Sequence, residues 1–272
     1  MESKDKVIKK PKYTPNANVK QSRDLVSAIY DLNIKQKRLV YLAIREAAHD
    51  KIQRSDAGSI VCNINVRDYA YFFNMSSQQA SREVSGAIKS MAGKEVAFLD
   101  PKEDYDADTA VDFVPWFSRR SIKCKTGVYR VFINTEIEEH IRGLNTRYMY
   151  LSLLDVAEFS NPYIGRIFEH LRMHNTAKHG ETGEVWINIK FMLNRFKMPK
   201  SYQRMPDLKR RVLDPACKLI TENTSYKLLD KDGNSTYSVI VAPNTKTPEV
   251  IVFKYIYLNP VAKELGLEDV LG

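Results

Sequence analysis

An α+β fold made of two winged-helix domains related by internal pseudo-symmetry is the architecture this sequence predicts, on three observations. First, INVRDYAYFFNM at 64–75 is echoed by INIKFMLNRFKM at 187–198, with identities at Ile64/Ile187, Asn65/Asn188, Phe73/Phe196 and Met75/Met198. Second, each copy opens the same expected order of strand, short helix, turn, longer helix and strand, which makes duplication a better explanation than chance. Third, hairpin patterns follow, and a helix–turn–helix backed by a hairpin is the plan of a winged-helix domain.

The elements follow from local patterns. SRDLVSAIY and NIKQKRLVYLAIREAAH have helical apolar spacing, the second through Leu39, Ala43 and Ala47 with Ile34, Val40 and Leu42 near that face. SIVCNINV alternates like a strand, and VRDYAYFFNM is a short helix. SSQQASREVSGAIKSMAG is a longer helix: Ser76 can cap it, Gln79 stands in capping-box position, and Gly93 lies where it would stop. KEVAFLD is strand-like, DPKEDYDADTAVD an acidic exposed loop, and VPWFSRRSIKCKTGVYRVFIN a hairpin turning near Thr126-Gly127. TEIEEHIRGL reads as a helix starting at Thr135.

In the second series, NPYIGRIFEHLRMH is a helix with Asn161 as cap and Pro162 at its first position. EVWINI is a strand and KFMLNRF a short helix. SYKLLDKDGNSTYSVIVAP is a hairpin with Asp232-Gly233-Asn234 at its tip, and EVIVFKYIYL a last strand. The expected divisions are a basic N-terminal arm at 1–20, a first domain at 21–147 and a second at 148–272. The arm is lysine-rich and proline-broken, hence either a flexible end or a phosphate-contacting tail.

The chain has 272 residues, room for one large domain or two ordinary ones, and 43% apolar residues, enough for a packed core. Its formal charge is +9, and the sequence pI is about 9.3. Residues 1–150 carry 25 Lys+Arg against 19 Asp+Glu, and 151–272 carry 17 against 14, so both halves are positive and each suits a polyanion. Cys62, Cys124 and Cys217 are odd in number and far apart, which points to a reducing cytosol rather than zinc or a disulfide framework. No run of about 18 apolar residues suggests a membrane span, and the N-terminus has no hydrophobic signal core.

The conspicuous stretch is YQRMPDLKRRVLDPACKLI at 202–220. At 100° per residue, Leu208, Val212, Ala216 and Leu219 share one sector, with Leu213 and Ile220 at its edge, while Asp207, Arg210, Arg211, Asp214 and Lys218 point away. Arg195, Lys197, Lys200 and Arg204 precede it without an acidic residue among them, so the N-terminal end of the helix is cationic, and its free N–H groups also favour an anion. That end of the second helix of a helix–turn–helix enters the major groove, where Arg can bond guanine and Arg or Lys can hold phosphate. Pro215 should kink or split the helix. In the first domain Ala80, Val84, Ala87, Ile88 and Met91 form the inner face, and Gln78, Gln79, Arg82 and Lys89 face outward, as an ordinary polar face or a base reader.

SYQRMPDLKRRVLDPA and MAGKEVAF resemble the iteron-binding plasmid replication initiators of the type found on the F plasmid. QSRDLVSAIYDLNIKQKRLVYLAI resembles that family's opening helices, and VPWFSRR and NPYIGRIFEHL match further landmarks in the expected order. The resemblance covers roughly residues 19–242; the segment after Pro243 departs from it. It implies sequence-specific binding of double-stranded DNA at origin direct repeats, opening of the adjacent duplex, and contacts with host helicase, initiator and chaperone proteins. It also implies a monomer in equilibrium with a homodimer, with the dimer contact in the first domain, and repression of its own promoter by the dimer at an inverted repeat. Carried over by residue, the second-domain reader is Lys200, Ser201, Tyr202, Gln203, Arg204, Arg210 and Arg211, with Lys197 beside it. The first-domain reader is Ser76, Ser77, Gln78, Gln79 and Arg82.

No catalytic pattern stands out, and the chain is read as a non-enzyme without cofactor or metal, in the bacterial cytoplasm. His170 and His174 have i, i+4 spacing with His179 nearby, but no E-x-x-H partner or cysteine accompanies them. Glu136, Glu138 and Glu139 fit the first turn of a helix. There is no G-x-x-x-x-G-K-[ST] for ATP. The alternatives are a winged-helix repressor without initiation activity and a DNA-nicking relaxase. The relaxase would need a divalent metal and would leave a covalent tyrosine–DNA adduct.

Overall fold

The computed structural model describes residues 17–48, 52–100, 102–103, 105–106, 109–121, 127–142, 148–243 and 247–258. In chain order the first half holds β1 (Asn18–Ser22), α1 (Arg23–Ser27), β2 (Ile29–Tyr30), α2 (Ile34–Ala47), β3 (Gln53–Arg54), β4 (Ile60–Asn65), α3 (Val66–Phe72) and α4 (Ser77–Ser90). It continues with β5 (Glu95–Ala97), β6 (Phe113–Pro115), β7 (Phe117–Ser121), β8 (Val128–Ile133), a 3-10 turn at Thr135–His140 and β9 (Tyr148–Ser152). The second half holds α5 (Pro162–His174), β10 (Thr182–Asn188), α6 (Ile189–Arg195), a 3-10 turn at Lys200–Gln203 and α7 (Met205–Leu208). A π-helical segment at Lys209–Leu213, α8 (Asp214–Asn223), β11 (Tyr226–Lys227), β12 (Tyr237–Val241) and β13 (Pro248–Tyr257) complete it.

The repeated segments fold alike, position by position. Asn65 and Asn188 each cap the helix that follows, with Oδ1 accepting from Arg67 N at 2.8 Å and from Phe191 N at 3.1 Å. Val66 and Ile189, Tyr69 and Met192, and Phe73 and Phe196 are buried at equivalent places. The chain then turns through a left-handed residue in each copy, Asn74 at φ 46° and Lys197 at φ 51°. The next residue bonds back five positions in both: Met75 N to Ala70 O at 3.0 Å, and Met198 N to Leu193 O at 2.9 Å. Each helix–turn–helix is backed by a wing. β7 and β8 pair antiparallel in the first domain, as β12 and β13 do in the second.

Several expectations change. The arm expected to run through residue 20 ends sooner, because Asn18–Lys20 lie in β1, paired with β9; residues 1–16 lie outside the described residues. Within TEIEEHIRGL, Thr135–His140 form a 3-10 turn capped by Asn134, whose Oδ1 accepts from Glu136 N at 3.1 Å, and residues 143–144 lie outside the described residues. The hairpin expected within 225–243 forms only at its tip, where Asp230 N–H bonds Asn234 O at 2.9 Å, Thr236 N–H bonds Leu228 O at 3.0 Å and Leu229 bridges Ser235; beyond it β11 and β12 each pair with a different part of β13. The segment after Pro243, which had no assigned role, is therefore the strand that organises the second sheet, since β10 pairs with β13 along its other edge. Two short strands reach more partners along one ten-residue strand than along each other, and backbone groups need those partners.

The helices α2 and α5 are buried nearly all round rather than along one stripe. α2 lies under the first-domain sheet and also meets α5: a Cβ at Gly165 would stand 3.5 Å from the Tyr41 hydroxyl. Polar residues of both helices are thus sealed in. Glu169 accepts from Gln21 Nε2 (2.8 Å) and Tyr41 OH (2.9 Å), and Lys37 Nζ pairs with it at 2.9 Å. Arg166 donates to the carbonyls of Val26 (3.2 Å) and Ala28 (2.7 Å) and lies over the ring of Tyr30.

Burial holds His170, His174 and His140 below the ordinary histidine pKa of 6.5, most strongly for His170, where Arg166 adds repulsion; His140 is partly compensated by Glu139. Each folded pKa lies below its unfolded value. The unfolded chain therefore takes up protons first as pH falls below 6.5, and stability falls with it. Urea midpoints are expected to decline as pH falls below 6.5, and His170→Phe to make that decline shallower. Equal slopes in the two proteins would show that His170 is not part of it.

Candidate nucleic-acid interface

The segment from Met205 to Asn223 is helical throughout, but its middle is π-wound: Asp214 N–H bonds Lys209 O, five residues back. That is how Pro215 fits. It stands in the first turn of α8, where no N–H is needed. The carbonyl it would have engaged in a continuous α-helix, Arg211 O, instead accepts from Asn161 Nδ2 at 3.3 Å. Asn161 also caps α5 through Oδ1, which accepts from Tyr163 N at 2.9 Å, so one side chain ties the helix to the domain. The wide turn also shifts the inner face by one residue. Leu208 and Val212 are buried before it, and Leu213, Ala216, Cys217 and Ile220 from it onward. Leu219, expected at the centre of that face, is only half-buried.

The outward side of this segment is cationic. Lys200, Ser201 and Gln203 are exposed, and Tyr202 is half-buried with its ring edge-on to Tyr163 at 5.8 Å. The side chains of Arg204, Arg210 and Arg211 are 79%, 72% and 51% exposed. All three converge on one carboxylate, Asp207, only 16% exposed. Its oxygens lie 3.7 Å from Arg204 Nε, 3.1 Å from Arg210 Nη2 and 3.8 Å from Arg211 Nε. Sequence reading set Asp207 on the outward face but did not see that it gathers the arginines. The i, i+3 and i, i+4 spacings to Arg210 and Arg211 were the available signal. The wing is fixed to the same helix, because Asp214 Oδ1 accepts from Tyr237 OH of β12 at 2.8 Å. Residues 244–246, between β12 and β13 in sequence, lie outside the described residues.

Two basic residues expected to precede this helix as free cations are placed otherwise. Arg195 is buried and donates to the carbonyls of Ser27 (3.1 Å), Leu99 (3.0 Å), Asp100 (2.6 Å) and Glu103 (2.7 Å). The acidic loop of the first domain, expected to be simply solvated, therefore packs on the second domain's turn through backbone oxygens. Lys197 is exposed but engaged, with Nζ 2.5 Å from the hydroxyl of Tyr105 in that loop. A buried guanidinium reaching four carbonyls cannot be told from a surface arginine by local pattern.

In the first domain Ser76 caps α4, accepting from Gln79 N at 3.2 Å, and Ser76, Ser77, Gln78, Gln79 and Arg82 are all exposed on its opening turns. Ala80, Val84, Ala87 and Ile88 face the core as their spacing required. Arg119 of β7 and Arg130 of β8 are exposed on the wing, with residues 122–126 between them outside the described set. The site thus has two surfaces, each a helix opening beside a wing. Among the described residues no group of three or more His, Cys, Asp or Glu could hold a metal ion, and no helix is long and apolar enough to cross a membrane.

Known proteins match this arrangement. A model described as Initiator Replication protein, WH1 matches residues 18–172, and one described as Initiator Rep protein, WH2 matches 188–240. An Escherichia coli chain known as "Uncharacterized 27.6 kDa protein" is 27% identical over 236 residues, covering 83% of this chain and 95% of that one. The crystal structure of the Pi initiator protein in complex with iteron DNA aligns with a TM-score of 0.67 at 15% identity, over 90% of this chain and 99% of that one, a likeness of fold. The WH1 domain of MSBI1.176, a replication protein isolated from a multiple sclerosis patient, aligns over 39% of this chain and 75% of that one at 19% identity, with a TM-score of 0.29. With both winged-helix domains matched in order, the chain belongs to the initiator replication protein family, the plasmid replication initiators.

Proposed function

We propose that this chain binds double-stranded DNA sequence-specifically at origin repeats, iterons, and starts plasmid replication there without itself catalysing a covalent step. The observation that carries the reading is the exposed cationic opening of the α7–α8 helix, with Lys200, Arg204, Arg210 and Arg211 outward and a wing fixed beside it. The Pi initiator protein, of the same overall fold, was crystallised with iteron DNA. Arg210→Ala and Arg204→Ala are each expected to weaken binding to a repeat selected from a random-sequence pool by about 1–3 kcal/mol if the residue reads a base. An equal loss on random DNA identifies a phosphate contact, and unchanged binding for both overturns this surface as the reader.

Two readers in one chain suit direct repeats, because a monomer has direction and can cover two successive major-groove faces about one helical turn apart. A symmetric dimer suits an inverted repeat, with one domain on each half-site. The proposal is therefore that monomers initiate on direct repeats, contacting host helicase, initiator and chaperone proteins in the bacterial cytoplasm. Dimers, joined through the first domain, repress the protein's own promoter. Sedimentation of the complexes tests the stoichiometry: one dimer on a single direct repeat, or a lone monomer filling the inverted repeat, sinks it. A repressor without initiation activity would leave a plasmid carrying the repeats unmaintained when the chain is supplied. A relaxase would leave a covalent adduct with origin DNA and Mg²⁺.

A further inference from the structure

We infer that Asp207 is a positioning residue that sets the sequence specificity of the second-domain reader, an inference that rests on the DNA-reading function proposed above. Its carboxylate stands at the centre of Arg204, Arg210 and Arg211, hydrogen-bonded to Arg210 at 3.1 Å and within 3.8 Å of the other two. The carboxylate is largely shielded while the three guanidinium groups are mostly in water, so the anchor is the fixed partner and the arginines the mobile ones.

A carboxylate on a DNA-facing surface repels phosphate, so affinity alone gives no reason to put one there. It makes sense as a filter. An arginine that goes to a phosphate on an arbitrary duplex leaves Asp207 and brings a bare carboxylate close to the DNA backbone. An arginine that reaches a base edge from the position Asp207 holds keeps its ion pair and its orientation. The same group therefore weakens wrong complexes more than right ones, which is discrimination by a built-in repulsion. It also restrains long arginine side chains before DNA arrives, reducing the ordering cost of the correct contact.

The test uses the full-length chain and two duplexes: one recovered by selection with the wild-type chain from a random-sequence pool, and a scrambled duplex of equal length and composition. Dissociation constants are measured at several salt concentrations for wild type, D207N, D207E and a variant with Arg204, Arg210 and Arg211 all replaced by Ala, with and without D207N. D207N is expected to tighten binding to the scrambled duplex by about tenfold and to the selected duplex by about twofold or less, so that the affinity ratio collapses. D207E, which keeps the charge, is expected to restore most of the ratio. In the triple-alanine background D207N is expected to leave the ratio unchanged, an outcome that a general loss of fold would not produce. Equal shifts on both duplexes, or a D207E that behaves like D207N, overturn this inference while leaving the DNA-reading function standing. A wild-type chain that enriches no sequence from the pool overturns that function itself.

Discussion

Glu169→Leu is expected to destabilise the protein by about 3–5 kcal/mol, the range for removing one partner from a buried ion pair. Glu169 is fully buried and serves Lys37, Gln21 and Tyr41 at once, with Arg166 4.0 Å away. Leucine fills similar space but accepts nothing. Lys37 already sits in a site where burial pulls its pKa down to about 8, with Glu169 the main group opposing that fall. Without the carboxylate the ammonium is either left buried and unpaired or must give up its proton, and the Gln21 amide and Tyr41 hydroxyl lose their acceptor. Lys37→Met with Glu169→Leu is expected to lose less than the sum of the two single changes, because the doubly substituted core has no orphaned ammonium. Urea midpoints at constant m-value measure both. Additive losses would show that the two side chains do not act as a pair. Because Gln21 and Lys37 precede Glu169 by more than 130 residues, this network joins the two halves of the chain.

DNA affinity is expected to fall by about 10³–10⁵ between roughly 50 and 200 mM salt, the loss for a surface making about 6–10 phosphate contacts. The exposed cations are there in two groups: Lys200, Arg204, Arg210 and Arg211 on the second domain, and Arg82, Lys89, Arg119 and Arg130 on the first. Each cation that displaces condensed counterions adds about 0.9 to the log–log slope, so the four named on one domain give less than about 4 and both groups must touch DNA for the full predicted loss. Titrating a fluorescent duplex at a series of salt concentrations reads it directly. Removing Arg82 together with Arg119 should lower the slope by about 2 if the first domain lies on the backbone. A nearly flat response in the wild-type chain would exclude DNA as the main partner of this surface.

What local pattern can reveal was visible from the start. Ser76 and Asn161 cap their helices whichever way the chain is folded, because a side-chain oxygen two or three residues before a free N–H needs only local geometry. Apolar spacing placed Ala80, Val84, Ala87 and Ile88 inward, since an uninterrupted α-helix keeps one angle per residue, and Arg210 and Arg211 outward, where they stay even within the wider π turn. The echo of 64–75 in 187–198 reached further, to two matched helix–turn–helix units, because the same residues meet the same local demands twice.

Other features depended on what each segment meets from far away. The shift of the inner face at Leu213 follows from the π turn that accommodates Pro215, held by an amide on another helix; no period within the segment encodes it. β13 could be read as a strand, but its partners could not, because β10, β11 and β12 all alternate well enough to pair and only burial of a shared face selects among them. Arg195, Lys37 and Glu169 have surface-type side chains in sequence and core positions in the fold. A charge is buried only where carbonyls or an opposite charge meet it, and the carboxylate that Lys37 reaches and the carbonyls that Arg195 reaches lie 92 to 168 residues away. The sequence by itself determined the paired winged-helix plan and the cationic outer face of the 205–223 helical segment, both written in local spacing. The tertiary structure alone decided which cations stay exposed, as Arg204, Arg210 and Arg211 do, and which are buried, as Lys37 and Arg195 are, because that choice depends on long-range partners for buried charge.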